Sequence, residues 1–322
     1  VAAPVIDMGE FDLIKRYFDR PELRPGPVMA LGPGDDCALL QVPFKHQLSV
    51  SSDTFVSGVH FFADMAASQI AQRCLAASVS DLAAMGATPA WFNLCLTMPS
   101  ADESWVDSFS QGLAVQAKHC AISLAGGDTT KGPLSISIHA MGWVPIGQAI
   151  TRSGAQIGDV IMVSGSLGDS AAGLQIMQHQ RDAVDALSQR FWNPTPRIAL
   201  GQWLRSKATA CLDVSDGLVQ DLGHILTASG CGADLQLQDL PLSTELQTYA
   251  TLSQAHNYAL NGGEDFELCF TLPPHLLSQA QAYSQLQKLP LTAIGCVSAE
   301  LGCRIWNGDK GLFTPPQGYQ HF

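Results

Sequence analysis

Hydrophobic and polar positions along the chain change period repeatedly, and each change marks an element. Over 68–86, Ile70, Cys74, Ala77 and Asp81 recur at helical spacing and predict one helix. Val106, Phe109, Leu113 and Ala117 do the same over 103–120. Period two replaces this over 92–98, where Phe92, Leu94, Leu96 and Met98 alternate with Asn93, Cys95 and Thr97, and again over 134–140. Both stretches predict half-buried strands. A short helix is expected at 10–18 and a strand at 47–52, ending at Ser51-Ser52-Asp53. Residues 20–34 hold four Pro and three Gly and predict an irregular, mobile loop.

Pro145-Ile146-Gly147 is the best linker candidate. Beyond it the pattern predicts strands at 159–164, 208–213, 233–237, 266–272, 292–297 and 302–306. Helices are expected from Asp169, after the break at Asn193-Pro194-Thr195-Pro196, at 216–229 and at 274–287. Strands and helices intermix, and several strands alternate cleanly. The reading is an α/β fold of α+β layers in two domains, 1–148 and 149–322, with a mixed sheet in the first.

Composition narrows the function. Only 14% of residues are charged and 46% are hydrophobic, which argues against disorder. The net charge of −12 and the lack of a Lys/Arg cluster argue against nucleic acid. No apolar run approaches the ~20 residues that span a bilayer, and the start has no basic segment or apolar core of a signal peptide. Nine Cys without a CxxC pair read as reduced thiols in a cytoplasmic protein. The 29 acids divide into 22 Asp and 7 Glu. Asp favours caps, turns and hard-metal sites over solvated helix faces.

Six motifs carry that excess: Gly34-Asp35-Asp36, Ser51-Ser52-Asp53-Thr54, Ser80-Asp81, Gly126-Gly127-Asp128-Thr129-Thr130, Asp213-Val214-Ser215-Asp216-Gly217 and Gly262-Gly263-Glu264-Asp265. Each alone reads as a turn or cap. Asp81, in mid-helix on an apolar stripe, does not. Six carboxylates brought together without cations would repel one another, so convergence implies several Mg²⁺ ions. Mg²⁺ in turn suits phosphoryl groups. The chain has neither a P-loop nor a kinase glycine loop, so metal must neutralise most of the phosphate charge. Arg152, just past the linker, could add a planar donor to an ATP phosphate.

Taken in order from about residue 10 to the closing Gly-Tyr-Gln-His-Phe, these motifs, with Val-His-Phe at 59–61 and Gly-Gly-Glu-Asp-Phe-Glu-Leu at 262–268, resemble the thiamine-monophosphate kinase family. Looser versions of the first motifs belong to a wider superfamily that includes aminoimidazole ribonucleotide synthetase. The resemblance implies transfer of the γ-phosphoryl group of ATP to thiamine monophosphate. It implies Mg²⁺ ligands at Asp36, Ser51, Ser52, Asp53, Asp81, Asp128, Asp213 and Asp216. It places Gly127, Asp128, Arg152 and Ser215 against ATP or its metals, and His60 and Glu264 against the thiamine phosphate. Pro315-Pro316 stand where the resemblance implies an aromatic, which leaves Tyr319 to stack on the thiamine rings. It further implies a homodimer through the N-terminal sheet, a C-terminal α+β domain, ATP between the N- and C-terminal motifs, and the 20–34 loop as a cover. The acceptor phosphate is already anionic, so no general base is expected. Two alternatives stay open: another ATP-dependent synthetase of the superfamily that releases phosphate, and a non-catalytic Mg²⁺- or nucleotide-binding sensor.

Overall fold

The computed structural model describes residues 10–180, 185–308 and 311–313. The described chain divides into two compact units, one running to Leu82 together with Thr88–Trp143, the other Ala83–Ala87 together with the chain from Val144. No helix among the described residues is long and apolar enough to cross a membrane.

The first unit contains α1 (Glu10–Leu13), continued by a wide turn to Phe18, then β1 (His46–Val56), α2 (Ala67–Ala84), β2 (Thr88–Met98), α3 (Glu103–Cys120), β3 (Ser123–Lys131) and β4 (Ser135–Pro145). Its sheet runs β1-β4-β2-β3 and is mixed, with β2 parallel to β3 and antiparallel to β4. The expected stripes are its core: Ile70 and Cys74 of α2 and Val106, Phe109, Leu113 and Ala117 of α3 are fully buried. Asp102 starts α3 by accepting the Ser104 and Trp105 N–H groups at 2.9 and 3.3 Å. Gly112 lets α3 lie against the start of α2, since a Cβ there would sit 2.2 Å from the Ser68 carbonyl oxygen. On β2, Leu94, Leu96 and Met98 are buried while Asn93, Cys95 and Thr97 are half-buried, as the alternation predicts.

Two expectations change. β1 does not end at Ser51-Ser52-Asp53 but continues to Val56, so that motif lies within a strand. The 20–34 segment is pinned at its near end rather than loose throughout. Leu23 is fully buried, the Gly26 N–H donates to Ser123 Oγ at 2.9 Å, and Trp91 donates to the Pro27 carbonyl at 3.3 Å. Proline and glycine predict irregular backbone, and irregular backbone can still be anchored by its own polar groups.

The second unit contains β5 (Val160–Ser164), α4 (Asp169–His179), α5 (Ala186–Trp192), α6 (Ile198–Leu204), β6 (Ala210–Asp213), α7 (Leu218–Ser229), β7 (Gly232–Gln236), α8 (Thr244–Tyr249), α9 (Leu252–Asn261), β8 (Leu268–Leu272), α10 (Leu277–Gln287), β9 (Leu291–Ser298), β10 (Gly302–Trp306) and β11 (Leu312–Phe313). The sheet order is β11-β10-β7-β9-β5-β8-β6, antiparallel except between β7 and β10. Strand residues alternate between two cores. Ile161, Val163 and Leu212 pack with Leu218, Leu222 and Ile225 of α7, whereas Met162, Cys211 and Phe270 pack with Leu200, Leu204 and Ala280 of α6 and α10. Helices therefore cover both faces at the centre, and β8 is buried along its whole length. A satellite core of Ala172, Leu187, Leu246 and Ala255 joins α4, α5, α8 and α9.

Candidate functional site

In the first unit, a cleft of about 890 Å³ opens against the sheet. Gly34, Asp35, Asp36 and Cys37 form one wall; Asn93 and Cys95 of β2, Gly126, Gly127 and Asp128 of β3 and His139 of β4 form its floor. The far end of the 20–34 segment, from Gly32, belongs to this wall.

The floor is shaped by a bulge. The β2–β3 register shifts between Phe92 and Asn93, where Ala125 is the extra residue on β3. Gly127 follows at φ +154°, pressed so close to β2 that a Cβ would lie 1.8 Å from the Leu94 carbonyl oxygen. Asp128 comes next, opposite Cys95 and exposed in the cleft. The double glycine is thus a strand interior, not the turn that glycines ordinarily announce.

Ser51 and Ser52 point to opposite faces of β1. Ser51 Oγ donates to the Asp81 carboxylate on α2, and Asp53 shares that strand face. Ser52 Oγ meets His139 Nδ1 at 2.7 Å, and Thr54 on the same face meets Ser137 at 2.8 Å. The predicted ligands of this unit therefore fall into two groups: Asp36, Asp128 and Ser52 with the cleft side, and Ser51, Asp53 and Asp81 on the helix side. Among the described residues no three His, Cys, Asp or Glu side chains gather around a single point that could hold a metal. His60 sits in the turn after β1. Its Nδ1 accepts the Val56 N–H at 2.9 Å, which leaves the neutral ring's proton on Nε2. The fully buried Arg73 of α2 donates to the His60 carbonyl at 3.1 Å and fixes the turn.

In the second unit, Asp213 ends β6 and is buried. Ser215, Asp216 and Gly217 turn the chain into α7, and all three N–H groups converge on one oxygen, Oδ2 of Asp221, at 2.9, 2.9 and 3.1 Å. Burial pushes the Asp221 carboxyl up to about 6, against those donors, which pull it down. The sequence reading missed Asp221. Its signal was the one that singled out Asp81: a carboxylate among the apolar residues of a helix, here Leu218, Leu222 and Ile225. Asp221→Asn keeps an oxygen for the three donors and is expected to change unfolding free energy by less than about 1 kcal/mol. Asp221→Ala takes the shared acceptor from three N–H groups, one buried and two half-buried, and is expected to cost roughly 2–4 kcal/mol in urea unfolding.

The 262–267 loop lies beside this turn. The Glu264 and Phe266 N–H groups donate to the Ser215 and Val214 carbonyls, each at 2.8 Å, and the Val214 N–H returns to the Glu267 carbonyl at 2.8 Å. Glu264 and Phe266 adopt φ of +73° and +50°, a conformation that costs a non-glycine residue of order 1–3 kcal/mol. Between them Asp265 is buried, and burial pushes its carboxyl up to about 7. Glu267 is fully buried between Arg190, Arg197 and Ser164. These partners are distant in sequence, which is why the motif revealed the loop but not its supports. Arg152 is exposed, and its carbonyl accepts from Ser229 Oγ at 3.3 Å. Tyr319 and Pro315-Pro316 lie outside the described residues.

None of the nine cysteines is in a disulfide among the described residues. The cleft and the loops contribute carboxylate, hydroxyl, amide and carbonyl oxygens, the hard donors that Mg²⁺ takes, and Asn93 adds a buried Oδ1 beside Gly126 that has no partner among the described residues.

Similarity to known proteins follows the same two units. The N-terminal domain of AIR synthase related proteins matches residues 34–144, and their C-terminal domain matches residues 156–305. The thiamine-monophosphate kinase of Escherichia coli K12 is 46% identical over 322 residues, covering 98% of each chain. The crystal structure of the Stenotrophomonas maltophilia K279a thiamine-monophosphate kinase superposes with a TM-score of 0.86 at 43% identity, covering 92% of this chain and 96% of that one. The structure of AaThiL complexed with AMPPCP and TMP gives a TM-score of 0.76 at 29% identity, covering 100% and 99%.

Proposed function

Because this chain belongs to the thiamine-monophosphate kinase family of AIR synthase related proteins, we propose that it transfers the γ-phosphoryl group of ATP to thiamine monophosphate, giving thiamine diphosphate and ADP. The observation that carries this reading is the make-up of the cleft: Asp36 and Asp128 line it with a double-glycine strand, and among the described residues no Lys or Arg does. Such a wall suits a polyphosphate that arrives with its own divalent cations.

We assign Asp36, Ser51, Ser52, Asp53, Asp81, Asp128, Asp213 and Asp216 to holding Mg²⁺, and Gly127, Arg152 and Ser215 to ATP. The hard-oxygen character of these donors supports the assignment. When bound, Mg²⁺ neutralises phosphate charge and orients donor and acceptor for in-line displacement. The chain's own part is placement. Gly127 keeps the strand backbone low beneath the cleft, and Asp221 holds the turn that carries Ser215 and Asp216. We assign His60, fixed in the turn after β1, to the acceptor phosphate as a hydrogen-bond donor. A Glu264 carboxylate would repel that phosphate, so it suits the cationic thiazolium end of the same molecule. Two unit charges at about 5 Å and an effective dielectric near 20 repel by about 3 kcal/mol. The acceptor oxygen is already largely deprotonated above a second pKa near 6, so no base is assigned and transfer is direct.

One assay tests the reading. With ATP, Mg²⁺ and thiamine monophosphate, ADP and thiamine diphosphate should form in equal amounts with no free phosphate, and chelation by EDTA should stop turnover until Mg²⁺ is restored. Free phosphate without thiamine diphosphate would instead indicate a synthetase, and binding without turnover a sensor. Label appearing on the protein from γ-labelled ATP would overturn direct transfer.

We further place the enzyme in the cytoplasm as a homodimer joined through the first unit's sheet. Nine cysteines outside any disulfide support the compartment. The interface is supported by β1, an edge strand on which Leu48, Val50 and Val56 are exposed, with Phe44 88% exposed just before it. Val50→Lys should shift the particle from dimer to monomer in sedimentation velocity; a monomeric parent protein at micromolar concentration would exclude this interface.

A further inference from the structure

Glu264 and Phe266, the two left-handed non-glycine residues of the 262–267 loop, flank a single residue, Asp265. A backbone held twice in that region within three residues must be over-determined by its surroundings. One set of restraints is the run of backbone hydrogen bonds to Val214 and Ser215. The other is Asp265 itself. Its Oδ2 accepts the Gly168 N–H at 2.6 Å and its Oδ1 the Ser170 N–H at 3.1 Å, at the opening turn of the 11-residue α4.

The residue at the start of α4 has no side chain to satisfy those donors. Gly168 is required there, because its φ is +86° and a Cβ would lie 2.6 Å from the Ala259 nitrogen. Helix starts are normally capped by their own Ser, Thr, Asp or Asn. Here the cap comes from 97 residues away in sequence. What α4 gains from Asp265 is therefore also what fixes the 262–267 loop in place.

A second clamp reinforces the first. Arg190 of α5 donates to the Asp265 carbonyl at 3.1 Å and to Glu267 Oε1 at 2.8 Å. Glu267 is held in turn by Arg197 Nε at 2.6 Å and Ser164 Oγ at 2.6 Å. The loop is thus tied on its inner side by a buried carboxylate and on its carbonyl by a half-buried guanidinium. Asp265 is 1% exposed, while the preceding Glu264 stays half-buried.

We propose that Asp265 is a positioning residue for the acceptor half of the reaction: seated on the first turn of α4, it holds Glu264 in the left-handed conformation from which Glu264 meets thiamine monophosphate. Arg190 serves the same purpose through the Asp265 carbonyl. This rests on the reading of Glu264 as an acceptor contact.

The test uses the full chain and steady-state kinetics with both substrates, for Asp265→Asn, Glu264→Gln and the double variant. Asp265→Asn is nearly isosteric, but its amide NH2 must face one of the two N–H donors. KM for thiamine monophosphate should rise at least tenfold and KM for ATP by less than twofold. Added to Glu264→Gln, Asp265→Asn should change KM for thiamine monophosphate by less than twofold, because the group it positions has already been altered. Equal rises in both KM values, or a full multiplicative effect in the double variant, would overturn the proposal in favour of a merely structural role. If Asp265→Asn does not fold, Arg190→Lys keeps the charge but loses the planar reach to the carbonyl, and the same split is required of it. The reading beneath fails separately: if Glu264→Gln leaves KM for thiamine monophosphate unchanged while the parent enzyme turns over, Glu264 does not contact the acceptor. If Glu264→Gln has its effect and Asp265→Asn has none, only the positioning role falls.

Discussion

Replacing Asp128 by alanine should lower kcat/KM by about a thousandfold or more, equivalent to roughly 4 kcal/mol, while the melting temperature moves by no more than a few degrees. Both parts follow from where the residue stands. Asp128 is exposed on the floor of the cleft, and no hydrogen bond or ion pair of the described residues depends on its carboxylate. Exposed substitutions of this kind usually change stability by less than about 0.5 kcal/mol. The catalytic cost has a different source. Each uncompensated pair of unit charges between donor and acceptor phosphates opposes their approach by about 3 kcal/mol, and Asp128 is one of the groups proposed to hold the compensating cations. Asp53→Ala should be inactive as well, although Asp53 is half-buried on the helix-facing side of β1 and its loss should cost more stability. Far-UV circular dichroism beside the kinetic assay separates the cases. Unfolded variants would make these carboxylates structural, and folded, active ones would remove them from the site.

Gly127→Ala should have the larger structural effect. The new methyl carbon would have to occupy a position 1.8 Å from the Leu94 carbonyl oxygen and 2.7 Å from its carbon, in a backbone with φ of +154°. Neither neighbour is a flexible side-chain end, so β2 and β3 must separate locally or the bulge must be lost. A destabilisation of roughly 3 kcal/mol or more is expected in urea unfolding, together with loss of activity as Asp128 loses its orientation. Gly126→Ala is the internal control. Its nearest neighbour would be Asn93 Oδ1 at 3.6 Å, an ordinary contact, and its unfolding midpoint should stay close to that of the parent protein. Similar losses in both variants would show that the sheet relaxes around added methyl groups and that the close approach at Gly127 is not a constraint.

Much of the architecture was legible where local signals agreed. The 103–120 helix carries its own cap at Asp102 and a continuous apolar stripe, and α3 spans Glu103–Cys120. The alternation over 134–140 reappears as the buried Ile136, Ile138 and Ala140 of β4. The reading failed where local signals are weak or ambiguous. Helices α5, α8 and α9 have 7, 6 and 10 residues and went unpredicted. Helices this short are marginal in isolation and are held by packing, here the satellite core of Leu187, Leu246 and Ala255. Gly126-Gly127 looked like a turn because glycine marks turns far more often than bulges.

The same division holds for the site. The order and residue types of the six carboxylate motifs were enough to identify the family, and hard oxygen donors in a charge-poor chain pointed to Mg²⁺ and phosphate, because ligand chemistry is a property of residue type. The sequence also determined the strand faces, because period two alone separates Ser51 from Ser52. Only the tertiary structure decided what supports these residues. It brought Asp81 to Ser51, Asp221 to three N–H groups of the Asp213–Gly217 turn, and Asp265 to a helix start 97 residues away. Asp221 and Asp265 are buried and Asp81 half-buried, so each must find a partner to offset the loss of water, and that partner is chosen by proximity in the fold, which no local pattern records.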